Sequence, residues 1–217
     1  MLIVGYLAAA LGGYLLGSVP TGYLVAKGRG VDIRSVGSGN IGATNVFRIL
    51  GVAAGVFVLL VDAVKGVVPV VAAHLLWRAW DPWASALTVE WAGLVAGFCA
   101  VLGHNYTCWL RFKGGKGIAT SAGVLAAVVP GAFLVLLGVF AGVLLATRYV
   151  SLASISAAVA LPFAVWATEG SLNLIVVTAV LGALAVYKHK ANIRRLLNGT
   201  ENRLGKPRPE AADVQKR

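Results

Sequence analysis

The sequence predicts an all-α membrane protein, a polytopic bundle of seven transmembrane helices, two of them short, with the N-terminus outside and the C-terminus inside. Of its 217 residues, 59% are hydrophobic and 12% are charged, and the mean hydropathy is +0.82. An ordinary soluble domain carries about a quarter charged residues. The charges are also uneven, since 12 of the 27 lie in residues 188–217. A soluble globule, a disordered chain and a disulfide scaffold are therefore excluded.

Six apolar runs carry the predicted spans, and the charges between them set the topology. The runs are 2–26, 50–77, 88–110, 117–147, 149–168 and 170–187. Lys27, Arg29 and Arg34 follow the first run, and no charge precedes it. Because positive loops stay on the cytoplasmic side, the N-terminus is predicted outside and the 27–49 loop inside. The uncharged start also lacks the basic region of a signal peptide, so the first run is expected to remain as a helix.

The fourth run, 117–147, decides the number of spans. It is too long for one upright helix and short for two full spans. Pro130 and Gly131 near its middle offer a break. Two short helices, unlike a single crossing, place Arg148 and the basic C-terminus inside, as the charge rule requires. We therefore predict two helices here, with a membrane domain over 1–201 and a disordered basic cytoplasmic tail over 202–217.

The formal net charge of +11 raises the possibility of nucleic-acid binding. However, the excess lies in loops and a tail between apolar runs, where positive charge fixes topology, contacts anionic headgroups or binds anionic substrates. We therefore expect membrane lipid as a partner and no nucleic acid.

The loop after the first run contains a glycine-rich segment, Gly37-Ser38-Gly39-Asn40-Ile41-Gly42-Ala43-Thr44-Asn45, followed by Arg48. Its G-x-G-x-x-G spacing is that of a dinucleotide site, but that fingerprint needs a βαβ unit, and this loop joins two membrane helices. Glycines let successive backbone N–H groups surround an anion, and Arg48 adds a bidentate donor for phosphate. The alternative is a glycine-rich turn in which Arg48 is a topological anchor.

A second glycine-rich segment joins Gly103-His104-Asn105-Tyr106 to Lys113-Gly114-Gly115-Lys116-Gly117. It is not a Walker A motif, because Gly117 follows Lys116 where that motif has Ser or Thr. Two lysines among three glycines before a new helix still predict an anion site, since ammonium groups and helix N-termini both favour phosphate. The alternative is a flexible cytoplasmic loop with topological lysines, in which His104 is an interface histidine.

A third polar segment follows the last apolar run and places His189, Asn192 and Arg195 on one face of a predicted helix. The alternative is an amphipathic helix on anionic lipid, which suits the arginines better than it suits His189 and Asn192. Ser151 and Ser154 are predicted at the same membrane face, either as donors or as helix caps.

The second apolar run contains an ionisable pair, Asp62 and Lys65. Their spacing places them on one helix face, where they can neutralise each other. Ionisable residues inside a membrane are candidates for function. A structural bridge within the helix is the equal alternative.

Taken together, these segments resemble the bacterial membrane acyl-phosphate:glycerol-3-phosphate acyltransferase family (PlsY). The resembling motifs are GSVPTGYL at 17–24, GSGNIGATNVFR at 37–48, DAVKG at 62–66, GHNY at 103–106, FKGGKGIAT at 112–120, RYVSLAS at 148–154 and HKANIRRLLNGTE at 189–201. The resemblance implies acyl transfer from a fatty acyl phosphate to the 1-hydroxyl of sn-glycerol 3-phosphate, giving lysophosphatidic acid and phosphate. It also implies the bacterial inner membrane, a site facing the cytoplasm and no use of acyl-CoA.

The resemblance also assigns site residues by motif. It implies that Ser38, Asn40, Thr44 and Arg48 line the site with Lys116, Ser154, His189 and Asn192. We expect the catalytic residues to be His189, Asn192, Lys116, Arg48 and Ser38. We expect the substrate-binding residues to be Gly37, Gly39, Asn40, Thr44, Asn45, His104, Asn105, Lys113, Gly114, Gly115, Gly117, Ser151, Ser154 and Arg195. The sequence has no cluster of carboxylates that suggests a metal, and no cofactor is expected.

The chemistry expected of such a site is direct attack by the glycerol hydroxyl. Acyl phosphate is a mixed anhydride with a good leaving group, and the sequence offers no clear nucleophilic Ser or Cys triad. The proton acceptor stays open between His189, His104 and a substrate phosphate oxygen. The rival function is a membrane transporter of an organophosphate anion, which the Asp62–Lys65 pair would suit. The clustering of polar motifs on one predicted face favours the enzyme.

Overall fold

The computed structural model describes residues 2–205, which are helical and contain no β-strand. The helices are α1 Leu2–Ser18, α2 Thr21–Lys27, α3 Ala43–Leu50, α4 Val52–Trp80, α5 Ala86–Asn105, α6 Ile118–Val128, α7 Pro130–Thr147, α8 Val150–Thr168, α9 Leu172–Lys188 and α10 Lys190–Leu197. A 3₁₀ turn, Cys108–Leu110, follows α5. The chain divides into two compact units, Met1–Val128 and Val129–Arg217. The predicted all-α class is confirmed for the described residues.

Five helical segments are long and apolar enough to cross a bilayer. They are Leu2–Lys27 (α1 with α2), Val52–Trp80, Ala86–Leu110, Pro130–Thr147 and Val150–Thr168. A sixth is counted if α9 is taken together with α10, from which it is bent by 57°. By contrast, α6 has 11 residues and spans about 16 Å, roughly half of the hydrocarbon thickness. The multi-pass membrane character is thus supported, whereas the seven crossings and their orientation stay predictions.

The fourth apolar run is divided into two helices, as predicted. Val129 separates α6 from α7 with an extended φ of −136°, and Pro130 is the first residue of α7. A proline restricts the residue before it to extended conformations, and its own fixed φ suits the first helical position. Pro130 therefore ends one helix and begins the next.

Small residues let the helices of the first unit approach closely. A Cβ at Gly17 would overlap the backbone carbonyl of Ala100, and one at Gly66 would overlap the carbonyl of Thr120. Such contacts between backbones are typical of membrane helix pairs, where packing replaces the hydrophobic effect as the source of association. They hold α1 against α5, and α4 against the beginning of α6.

The C-terminal end of α5 is also tied to α1 by hydrogen bonds. The Tyr14 hydroxyl donates to the Tyr106 carbonyl at 2.8 Å, and the Thr107 hydroxyl donates to the Ser18 carbonyl at 2.5 Å. The Ser18 carbonyl is accessible because α1 ends at Ser18, and the last carbonyls of a helix have no partner within it. The loop that follows α5 therefore begins at a fixed position.

The second unit is an α7–α8–α9 arrangement with the short α10 at its C-terminal side. Arg148 joins α7 to α8 in the left-handed conformation, with φ of 60°. The backbone N–H of Leu204 donates to the Arg148 carbonyl at 2.8 Å, and the Arg203 guanidinium lies 4.9 Å from the centre of the Tyr149 ring. The folded part thus extends to Leu204, past the predicted boundary at 201, and residues 206–217 of the predicted tail lie outside the described residues.

Candidate active site

Asn45, in the first turn of α3, organises the first glycine-rich loop. The residue is 2% exposed, and its amide nitrogen donates to the carbonyls of Val36 at 3.1 Å and Asn40 at 3.0 Å. Its Oδ1 accepts the backbone N–H of Ser38 at 2.9 Å. Because its amide N–H groups and its carbonyl oxygen are used inside the loop, Asn45 shapes the loop, and its predicted contact with substrate stays a prediction.

The glycines of this loop adopt conformations that other residues avoid. Gly37 and Gly39 have φ of 61° and 69°, and a Cβ at Gly37 would also press on Oδ1 of Asn45. Asn40 then accepts the Gly42 N–H at 2.8 Å, directly before α3. Gly37, Gly39 and Asn40 therefore give the loop that carries Ser38 its shape.

Three further predicted site residues, Ser38, Thr44 and Arg48, lie on this loop and on α3, which follows it. Ser38 and Thr44 are exposed, and Arg48 is half-buried. Thr44 and Arg48 are four residues apart in α3, so they lie on one helix face. Two hydroxyls and a guanidinium are an appropriate donor set for a phosphate group.

The backbone N–H groups of Gly114 and Gly115 are used within the protein. The Gly114 N–H donates to the Asn105 carbonyl at 3.2 Å, and the Gly115 N–H donates to the His104 carbonyl at 3.0 Å. These bonds satisfy carbonyls that the C-terminus of α5 would otherwise leave without helical partners. The structure thus gives both N–H groups a role within the protein, and the binding of substrate by Gly114 and Gly115 stays a prediction.

The run of glycines is required because it lies directly on His104 and Asn105, which are 5% and 0% exposed. A Cβ at Gly114 would overlap the His104 carbonyl, and one at Gly115 would overlap Nε2 of the His104 ring. Gly117 has φ of 77°, and a Cβ there would crowd Oδ1 of Asn105. His104 and Asn105, predicted to bind substrate, form the surface on which the loop rests.

The second segment also carries two lysines and leads into α6. Lys113 is exposed and Lys116 is half-buried. The Ser121 N–H bonds the Gly117 carbonyl at 2.7 Å and closes the first turn. The preceding N–H groups are those that a helix N-terminus leaves for an anion, and the helix dipole adds partial positive charge there.

One buried apolar core of the first unit joins the first glycine-rich segment to the 3₁₀ turn that precedes Lys113. Ile33, Ile41 and Val46 come from the first segment and its flanks, and Leu110 comes from the 3₁₀ turn before the second. All four side chains are at most 8% exposed. The core therefore holds the backbone that carries Arg48 against the 3₁₀ turn from which the second segment starts.

In the second unit, the Glu201 carboxylate joins three predicted site residues. Its Oε1 accepts the Asn192 amide at 2.8 Å and the Ser151 hydroxyl at 3.0 Å, and its Oε2 accepts Nε of Arg195 at 2.6 Å. Burial raises the pKa of this carboxyl, but the hydrogen bonds from Asn192, Arg195 and Ser151 outweigh it and hold the pKa below its ordinary value. Ser151 and Arg195 thus orient Glu201 in addition to any contact with substrate.

His189 lies at the junction of α9 and α10 and is 2% exposed. Its Nδ1 lies 2.7 Å from the Ala185 carbonyl. Because a carbonyl oxygen only accepts, Nδ1 carries the proton in this contact, and in the neutral imidazole the lone pair is then on Nε2. This tautomer suits a group that accepts a proton from a hydroxyl.

Ser154 is 4% exposed and donates its hydroxyl proton to the Val150 carbonyl at 2.8 Å, one turn back in α8. Its oxygen therefore acts as an acceptor toward any ligand.

Glu201 is the residue that sequence reasoning missed. The predicted domain ended at this position. The segment before it was interpreted by its positive charges, which are those of Lys190, Arg194 and Arg195. One signal was present, since Glu201 is the single acid among the charges from 188 to 205. The turn at Gly199, with φ of 68°, and the Thr200 N–H bond to the Arg195 carbonyl bring it back toward α10.

The fold and these residues define a class of protein: an all-helical integral membrane protein whose polar residues suit a phosphate-bearing compound. Within residues 2–205, no group of three or more His, Cys, Asp or Glu side chains is placed to hold a metal ion. The profile of the glycerol-3-phosphate acyltransferase family matches residues 7–199. The chain therefore belongs to the glycerol-3-phosphate acyltransferase family.

Relatives and solved structures agree with this assignment. The chain is 50% identical over 192 residues to a glycerol-3-phosphate acyltransferase of Geotalea daltonii, covering 88% of this chain and 94% of the relative. It is 46% identical over 205 residues to the glycerol-3-phosphate acyltransferase of Thermosynechococcus vestitus, covering 94% of this chain and 96% of that relative. Crystal structures of PlsY, an integral membrane glycerol 3-phosphate acyltransferase, match in the glycerol 3-phosphate form (TM-score 0.81, 40% identity) and the lysophosphatidic acid form (0.79, 39%). Both matches cover 98% of this chain and 99% of the other.

Proposed function

We propose that this protein transfers a fatty acyl group from acyl phosphate to the 1-hydroxyl of sn-glycerol 3-phosphate, giving lysophosphatidic acid and inorganic phosphate. The observation that carries the proposal is the buried core shared by the Arg48 segment and the 3₁₀ turn, Cys108–Leu110, that precedes the Lys116 segment. Both substrates bear a phosphate, which is costly to bring near hydrocarbon unless cations and donors compensate it. The PlsY structures named for glycerol 3-phosphate and lysophosphatidic acid support the acceptor and the product.

The first unit supplies the phosphate-binding groups in this proposal. Arg48 offers a planar fork for two phosphate oxygens, and Ser38 and Thr44 add hydroxyl donors. Lys116 and the beginning of α6 provide a second positive position. The same groups stabilise the leaving phosphate and the negative charge that develops on the carbonyl oxygen.

The reaction is a direct displacement at the acyl carbon. The glycerol 1-hydroxyl oxygen forms a bond to the carbonyl carbon, and the bond from that carbon to the phosphate oxygen breaks with its electron pair. Nε2 of His189 is one acceptor for the hydroxyl proton, and an oxygen of a substrate phosphate is the other. Asn192, held by Glu201, is placed one helical turn after His189 and orients the acceptor substrate.

The acyl chain lies in an apolar groove between α8 and α9. The groove is lined by Ala158, Pro162, Ala179, Gly182, Val186 and Tyr187. Along α9 this lining runs to within one turn of His189, so the reacting end of a chain in the groove is near the proposed base. A groove on a lipid-facing helix pair also lets the product leave sideways into the membrane.

The proposed location is the bacterial inner membrane, with the site facing the cytoplasm. The proposed topology has seven spans, with the N-terminus outside and the C-terminus inside, as the positive-inside rule requires. A reporter fused after Arg217 is expected in the cytoplasm, and a periplasmic reporter would refute the topology.

The purified protein in lipid nanodiscs, supplied with palmitoyl phosphate and glycerol 3-phosphate, tests the activity through released orthophosphate and lysophosphatidic acid. Palmitoyl-CoA is the parallel donor and is expected to give no product. Lys116→Ala is expected to lose activity, whereas Lys27→Ala, which removes an exposed lysine of the same unit, is the matched control. Product from palmitoyl-CoA alone would overturn the proposed donor.

A further inference from the structure

We propose that Asp62 and Lys65 are positioning residues, which act through His104 on the glycine run that leads to Lys116. The kinetic part of this inference rests on the proposed acyl transfer. Its structural part, the order of the glycine run, is independent of that function.

The pair is a buried ion pair within α4. Nζ of Lys65 lies 2.7 Å from Oδ1 of Asp62, and the two residues are 7% and 2% exposed. Apolar residues of similar volume often stabilise such a position equally well or better, because burial of two charges removes their hydration. Stability alone therefore does not account for the pair.

Each member of the pair reaches a different element of the first unit. Lys65 Nζ donates to the Val19 carbonyl at 2.8 Å, at the break between α1 and α2. Asp62 Oδ1 lies 3.9 Å from Nδ1 of His104, near the C-terminus of α5. The pair thus links the helix break beside Pro20 to the His104 imidazole.

His104 carries this link to the second glycine-rich segment. A Cβ on Gly115 would overlap Nε2 of the His104 ring, and the His104 carbonyl accepts the Gly115 N–H at 3.0 Å. The ring and the backbone of one buried residue therefore both contact Gly115, the neighbour of Lys116. A shift of the His104 ring toward Gly115 would therefore displace Gly115, because the ring packs closely against it.

The competing explanation is that Asp62 and Lys65 form only a structural bridge within α4. A variant in which neutral residues replace both members of the pair distinguishes this bridge from a positioning role. Asp62→Asn leaves Lys65 as a buried charge and is expected to reduce folding as well as activity. Asp62→Leu combined with Lys65→Gln removes both charges and keeps a donor for the Val19 carbonyl. The matched control is Glu90→Gln, which removes an acid from the opposite end of α5.

The measurements are hydrogen exchange of the peptide that contains residues 112–117, the melting temperature, and the KM for glycerol 3-phosphate, all on the full chain in nanodiscs. For the neutral double variant we expect a wild-type melting temperature with faster exchange in this peptide. We also expect KM to rise by about tenfold, a size typical when a group that orients a binding residue is removed. His104→Phe should add little in that background, because both changes release the same constraint.

Wild-type exchange and a wild-type KM in the neutral double variant would overturn the inference and leave a structural bridge. Loss of exchange protection throughout the first unit, rather than in residues 112–117, would overturn it as well. If the wild-type protein fails to acylate glycerol 3-phosphate, the proposed function is wrong. In that event, local loss of protection in residues 112–117 still supports the positioning role.

Discussion

The side-chain amide of Asn192 donates a hydrogen bond of 2.8 Å to Oε1 of Glu201. The same oxygen accepts the Ser151 hydroxyl, so one carboxylate connects α10 to the beginning of α8. Glu201 reaches this position because the chain turns back after α10 at Gly199. The orientation of Asn192 is thus determined by a residue outside its own helix.

Glu201→Gln should lower both stability and kcat. Glutamine keeps one acceptor oxygen but presents an NH2 group to the Asn192 amide or to Arg195, both of which are donors. We expect a loss of about 1–3 kcal/mol in the free energy of unfolding, the usual effect of leaving buried polar groups without partners. Thermal unfolding in detergent and steady-state kinetics measure the two effects.

The matched control for this change is Glu169→Gln, an exposed acid at the end of α8. This substitution should leave the free energy of unfolding and kcat at their wild-type values within experimental error. Equal effects of the two substitutions would contradict the role given to Glu201.

The stability contributed by Glu201 should depend on pH. Its pKa is lowered in the folded protein from an ordinary value of 4.5, so the folded state prefers the carboxylate. The contribution is therefore present above pH 4.5 and is lost as the pH falls through the lower, folded-state pKa. The difference in melting temperature between wild type and Glu201→Gln should shrink as the pH falls below 4.5. A constant difference from pH 7 to pH 3 would refute this assignment.

Much of the helical layout follows from local features of the sequence. Long apolar runs predict α4, α5 and α8, and Pro130 predicts the division between α6 and α7 because it affects its own neighbours directly. The pair of Asp62 and Lys65 is confirmed at 2.7 Å because helical spacing alone brings the two residues together. The number of crossings does not follow from the lengths of the apolar runs alone, since α6 is shorter than a bilayer is thick.

The parts of the site that escaped prediction depend on contacts distant in sequence. Gly114 and Gly115 appeared to offer N–H donors, but their chain folds back on the end of α5 and its carbonyls take both groups. Glu201 accepts from α8 and α10, and its position as the single acid of a basic segment does not tell which elements supply its donors. Residue types therefore indicated the kind of site, while tertiary contacts decide which groups contact a ligand.

Gly115→Ala should impair substrate binding more than folding. The new methyl group would overlap Nε2 of His104, and the loop is the element free to move away. Overpacking of this kind costs about 1–3 kcal/mol, which predicts a rise in KM for glycerol 3-phosphate of roughly tenfold or more. Gly138→Ala is the matched control, because a Cβ there meets no atom within 4 Å. An unchanged KM in Gly115→Ala would show that the loop does not contact the substrate.

His189→Ala distinguishes the two proposed proton acceptors. If Nε2 is the general base, kcat should fall by about 10²–10⁴-fold, with a smaller change in KM. If a substrate phosphate oxygen accepts the proton, saturating substrate should restore near-normal turnover. His74→Ala, which replaces a histidine of α4 in the first unit, is the control for loss of an imidazole. Single-turnover release of phosphate measures the chemical step directly.

Ala179→Phe should discriminate between acyl donors by chain length. Ala179 lines the groove between α8 and α9, and a phenyl ring there would occupy the space proposed for the distal part of a long chain. Each buried methylene contributes about 0.8 kcal/mol, so kcat/KM should fall strongly for palmitoyl phosphate and little for hexanoyl phosphate. The matched control is Val180→Phe, which adds a ring at the next position of α9. Val180 is 51% exposed and does not line the groove, so kcat/KM for both donors should stay unchanged. Equal losses with the two donors would instead indicate that Ala179→Phe disturbs the helix pair, and the acyl chain would have to be placed elsewhere.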